Sequence, residues 1–94
     1  MNEILDIIAS HFGITREQLL EHTTSRNRIE MKRMAIYLLK EKKFTHRKII
    51  KTFGYASIGT INEHMNKAKG FITYDPWFIT NYKNLHDAIT RTVR

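Results

Sequence analysis

The sequence predicts an all-α fold, a compact bundle of about six helices, and three observations lead there. Apolar residues recur at three- and four-residue spacing nearly throughout the 94 residues. One proline and four glycines leave few places for turns. An apolar fraction of 41% with ten aromatics supplies a core, so the net charge of +7 does not imply disorder. At this length one core serves one domain, residues 1–94, and no linker, internal repeat or low-complexity segment interrupts it.

The elements follow in order. The first helix is expected after an Asn2 cap, with Ile4, Leu5, Ile8 and Phe12 on one face and a stop at Gly13. Thr15 with Gln18 three residues on makes a capping box for a short helix that turns Leu19 and Leu20 inward. The polar stretch Glu21 to Asn27 reads as a loop. A third helix is expected from Arg28 to Lys40, burying Met31, Met34, Ala35, Leu38 and Leu39, with the ends of Lys32 and Arg33 in solvent.

Thr45 can cap a fourth helix containing Ile49, Ile50 and Phe53, which Gly54 ends. A fifth starts near Ser57 and buries Ile61, Met65 and Ala68, turning Thr60, Asn62, Glu63, Asn66 and Lys67 to other faces. Asp75 before Pro76 is an acceptor cap followed by the residue best suited to the first helical position. The sixth helix then carries Trp77, Phe78, Tyr82, Leu85 and Ile89 to the core. The fourth and fifth helices with their glycine turn have the pattern of a helix-turn-helix.

Composition excludes several classes. Without cysteine there is neither a disulfide framework nor a thiolate zinc site. His11, His22, His46, His64 and His86 form no i, i+4 pair, so no metal is expected, and no other cofactor. His46 reads as a neutral, partly exposed side chain. The first residues, Met1 to Asp6, are acidic where a signal peptide would be basic, and no apolar run approaches the roughly 20 residues that span a bilayer. A cytoplasmic protein with no membrane partner is expected. No serine or threonine has a nucleophile's context and the nine acids are scattered, so no enzyme is expected. Without a heptad seam the chain is expected to be a monomer.

Charge points to a partner. Ten of the sixteen Lys and Arg residues fall between Arg26 and Lys51, against only Glu30 and Glu41, and this segment runs into the expected helix-turn-helix. Double-stranded DNA is the partner such a footprint fits.

The order Phe12-Gly13-Ile14, Ser25-Arg26-Asn27-Arg28, Lys32 through Leu39, Phe53-Gly54, Thr60-Ile61 and Lys67 resembles the C-terminal DNA-binding domain of the bacterial replication initiator DnaA. The resemblance spans most of the chain and implies a Trp-repressor-like helix-turn-helix. It implies that Arg26 enters the minor groove, that Lys32 and Arg33 meet phosphates, and that Lys67 lies on the recognition helix. The family's Gly-Gly-Arg-Asp-His-Ser/Thr-Thr-Val stretch stands here as Gly54 to Ile61, where only Gly54 and Thr60 match and Ile61 is close. The missing Arg, Asp and His would each read bases at about 1 to 3 kcal/mol of discrimination, so the family's origin box is not the expected target. No Gly-rich phosphate loop ending in Lys-Ser or Lys-Thr accompanies the domain, so ATP-driven origin opening is not expected of this chain. Replication initiation, its regulation, and a phage or mobile element are the contexts implied.

The expected DNA-binding set is therefore Arg26 and Arg28 at the minor groove; Lys32, Arg33, Lys43, Arg47 and Lys48 on phosphates; and Ser57, Gly59, Thr60, Asn62, Glu63 and Lys67 facing base edges or nearby backbone. Tyr55 either packs under the turn or stacks on sugar and phosphate. Two rivals stand beside this reading. One is a protein-interaction module that has lost sequence reading, favoured by Ile58 where the family has histidine; the other is an RNA binder using the same basic face.

Overall fold

A single central helix meets every other helix in the computed structural model, which describes residues 1–55 and 57–92. In chain order the helices are α1 (Asn2–His11), α2 (Arg16–Leu20), α3 (Arg26–Glu41), α4 (His46–Phe53), α5 (Ile58–Tyr74) and α6 (Pro76–Thr92), and α3 is the central one. Met34, Ala35, Ile36, Leu38 and Leu39 of α3 are buried on more than one face, as a helix surrounded by neighbours requires. Met31 is only half-buried at the rim.

Around it close Ile4, Leu5, Ile8 and Ala9 of α1, Leu19 of α2, Ile49 and Phe53 of α4, Ile61 and Ala68 of α5, and Phe78, Leu85 and Ile89 of α6. The closest packing is of α3 on α5, with α6 and α1 closing the other side. No helix among the described residues is long and apolar enough to cross a membrane.

Local chemistry sets most boundaries. Thr15 accepts from the Gln18 backbone N–H while the Gln18 side chain accepts from the Thr15 N–H, a reciprocal box. Thr45 Oγ1 accepts from Lys48 N, and Asp75 Oδ1 accepts from Trp77 N at 3.0 Å, so the two later caps also form. The first helix differs from expectation: it includes Asn2, and Met1 stands at the cap without a side-chain bond. The third begins two residues before Arg28, at Arg26, because Ser25 takes the extended cap conformation and Ile29 N donates to its carbonyl.

Three helices end through one backbone device. A left-handed residue lets the next N–H donate back five residues: Ile14 N to Ala9 O after Gly13 (φ 71), Phe44 N to Leu39 O after Lys43 (φ 68), and Tyr55 N to Ile50 O after Gly54 (φ 72). Glycine holds two of these positions at no steric cost; Lys43 holds the third against its own Cβ.

Trp77 does not enter the core. It is 39% exposed and lies across Phe12, with ring centroids 5.8 Å apart and planes 21° from parallel. Its neighbour in sequence, Phe78, takes the buried position.

Candidate nucleic-acid interface

The basic segment divides into cations that hold the fold and cations left to solvent. Arg28 and Lys32, one turn apart on α3, both donate to the C-terminal end of α2. Arg28 pairs with the Glu21 carboxylate at 2.6 Å and reaches the Gln18 carbonyl, while the Lys32 ammonium donates to the Glu21 carbonyl. This suits two cations beside the negative end of a helix dipole. Lys32 is 4% exposed, and burial lowers its pKa, with Glu21 opposing the shift. The expectation that the end of Lys32 lies in solvent and grips a phosphate is therefore corrected: its ammonium is spent on α2. Arg28 is likewise committed to Glu21 and stands half-buried.

Arg33 is also engaged. Its Nε donates to His64 Nδ1 at 3.3 Å, and its guanidinium carbon lies 5.7 Å from the Phe71 ring centroid. Tyr55 resolves toward packing, stacked on Phe53 at 5.7 Å with planes 7° apart and 5.5 Å from the His64 ring.

The remaining expected cations are exposed. Arg26 opens α3, Lys43 sits in the turn after it, and Arg47 and Lys48 occupy the first turn of α4, Lys48 lying 5.5 Å from the Phe44 ring. Lys67 pairs with Glu63 one turn away at 3.3 Å, an exposed pair of small energetic weight. Arg26, Arg33 and Lys67 converge with Glu30 on an open groove of about 680 Å³ floored by Ile29 and Phe71, between the start of α3 and the middle of α5.

On α5, Ser57 precedes the helix in extended conformation without a side-chain cap bond, and Ile58, Gly59 and Thr60 form its first turn. Ser57, Gly59, Asn62, Glu63 and Lys67 are exposed, and Thr60 is half-buried. Ile58 is 54% exposed. Ala56, within the stretch that departs from the resembled family, lies outside the described residues.

The helix starts differ electrostatically. Helices α1, α2 and α6 have acids where the dipole is positive, at Glu3, Glu17 and the Asp75 cap. Helices α3, α4 and α5 have none in their first turns, and α3 and α4 add Arg26, Arg28, Arg47 and Lys48 there. A cation at a helix N-terminus is unfavourable by roughly 0.3–1 kcal/mol unless an anion answers it.

Sequence reasoning missed one connection. His46, at the first position of α4, bridges Lys40 of α3 and Asn62 of α5 at 3.1 Å on each side. Its only sequence signal was its place beside the Thr45 cap; the partners are brought by the fold. No protein-family model matches the chain, and no curated protein sequence does.

Proposed function

We propose that this chain binds double-stranded DNA, with α4 and α5 as a helix-turn-helix, α5 entering the major groove, and the start of α3 held against the adjacent backbone and minor groove. The observation that carries the reading is the set of three helix starts with no acid in the first turn. Of these, α3 and α5 also lack a side-chain cap bond, while Thr45 caps α4 without charge, and the exposed Arg26, Arg47 and Lys48 add positive charge at α3 and α4 that phosphates would relieve. The resemblance to the C-terminal domain of DnaA supports the same reading, with Arg26 the residue matched to the family's minor-groove arginine. Replication initiation, its regulation or a mobile element is the context we propose.

The phosphate-binding set is narrower than charge alone suggests. Arg26, Lys43, Arg47 and Lys48 are the exposed cations of the expected set apart from Lys67, which pairs with Glu63, so log K should fall against log salt with a slope of roughly −4. Selection from random duplexes at two salt concentrations, with wild type and Arg26→Ala, tests the reading. An enriched motif, a steep slope and weakening by Arg26→Ala are expected. Absence of binding at low salt would favour the second reading, a protein-interaction module, for which the exposed Ile58 is the supporting feature.

A further inference from the structure

We propose that a recess beside the helix-turn-helix turn is a binding site for one small tetrahedral oxyanion, a phosphate free in solution. The inference stands apart from the DNA-binding reading. The recess, of about 260 Å³, is lined by His22 and Thr23 of the loop after α2, Lys32 and Arg33 of α3, Tyr55 of the turn after α4, and His64 of α5.

Every polar side chain in that lining has a proton to give. Lys32 and Arg33 carry donors and no acceptor. Arg33 Nε donates to His64 Nδ1, so a neutral His64 holds its own proton on Nε2. Thr23 Oγ1 accepts from Ser25 N at 3.0 Å and keeps its hydroxyl proton. Among the described residues, the Tyr55 hydroxyl and His64 Nε2 meet no protein acceptor, and no buried side-chain N or O lacks a partner, so both atoms are open to solvent. No acid lines the recess among those residues either. Glu21 is held by Arg28 at 2.6 Å and Glu63 by Lys67 at 3.3 Å. A surplus of donors around two fixed cations, with no carboxylate to answer them, suits an oxyanion.

Size and depth narrow the class. The volume falls below the roughly 300 Å³ at which pockets for larger ligands begin, so it fits one anion with its waters rather than a nucleotide. Of the six side chains only His22 is exposed. A duplex backbone meets outlying cations such as Arg26 and Arg47, whereas a set-back lining favours a small anion that diffuses in. Once bound, the anion would join the loop, α3, the turn and α5 through one charge.

Phosphate titrated into the free protein at about pH 7.5 and constant ionic strength, against chloride, tests this, with the imidazole nitrogens followed by NMR. The His64 Nε2 signal should move along one saturating curve. Tyr55→Phe keeps the ring stacked on Phe53 and deletes one donor, and should raise the dissociation constant about tenfold. Lys83→Ala, an exposed change on α6, should leave it unaltered. Shifts that track phosphate without saturating, or an unchanged constant in Tyr55→Phe, would overturn the proposal.

A second readout uses sulfate, whose charge is constant across the range. His64 faces Arg33 and Lys32 from α3, Glu63 and Lys67 on its own helix, and Tyr55 and His22 across the recess. The cations help hold its pKa below 6.5, so a bound dianion should raise it, and an unmoved value counts against the site. Finally, an unphosphorylated duplex at low salt should leave the phosphate curve of His64 in place. A duplex that reproduces the shift and displaces phosphate would overturn the free-anion assignment in favour of a strand phosphate. A duplex that does not bind at all sinks the DNA-binding reading alone, and the phosphate titration still judges the recess.

Discussion

Arg33 donates its Nε proton to Nδ1 of His64, joining the middle of α3 to the middle of α5 across the edge of the core. The bond needs a bare Nδ1. Burial, and then the Arg33 guanidinium, lower the His64 pKa from its ordinary 6.5, with Glu63 opposing and Lys67 and Lys32 adding to the shift. The unfolded chain therefore binds a proton on His64 at a higher pH than the folded chain does. Stability from this contact is fully present above the ordinary value and is lost as pH falls through 6.5 toward the lowered folded value. His64→Gln, which keeps an acceptor for Arg33, should lose that dependence. Urea midpoints at about pH 7.5 and about pH 5 should show wild type losing more stability than the variant; equal losses would remove His64 as the cause.

Lys43 should be replaceable by glycine with a gain in stability. Its φ of 68° matches those of Gly13 and Gly54, which close α1 and α4 by the same backbone bond. Lys43→Gly relieves left-handed strain and should stabilise by about 0.5–1 kcal/mol after the extra entropy of glycine in the unfolded chain. The same change removes an exposed cation, so the DNA salt slope should become shallower by about 0.9. Thermal melts and salt titrations read the two effects separately.

Gly70 lies within α5, and a Cβ added there meets nothing within 4 Å. No packing requires glycine at that point. Gly70→Ala should stabilise by about 0.5–1 kcal/mol, read as a higher melting temperature. Lower stability would mean that the open space around Gly70 is not there in solution.

Lys32 and Arg26 should separate stability from binding. Lys32→Ala leaves the Glu21 carbonyl without its buried donor and should cost about 1–3 kcal/mol, with the salt slope unchanged. Arg26→Ala removes an exposed cation from a positive helix start, so stability should hold within about 0.5 kcal/mol or rise, while DNA affinity falls. Chemical denaturation beside duplex titration of both variants checks the contrast; matching profiles would reject it.

What was legible in the chain was what neighbours in sequence decide. Thr15 with Gln18, Thr45, Asp75, Gly13 and Gly54 act within one helical turn, and each stands where the pattern put it. The left-handed turn at Lys43 carried no such sign, because lysine does not announce that conformation. The burial of Lys32 could not be read either. It depends on where the end of α2 falls against α3, which spacing along α3 does not contain. Trp77 shows the same limit: periodicity put it on a helix, yet the choice between Trp77 and Phe78 for the interior was made by the fit of α6 against Phe71 and α1.

The central place of α3 sets how opening motions are distributed. Between Met34 and Leu39 every residue but the half-buried Tyr37 is buried, so their amides should exchange with solvent most slowly, near the rate of whole-chain opening. Helix α4 packs mainly on α3 and α5, with Thr52 donating to Met1 Sδ at 3.2 Å, and buries two side chains, Ile49 and Phe53. It should open at lower free energy than α3, and it carries Arg47 and Lys48. On the proposed DNA-binding reading, those two cations would refit to the local curvature of a duplex while the centre of the chain stays closed.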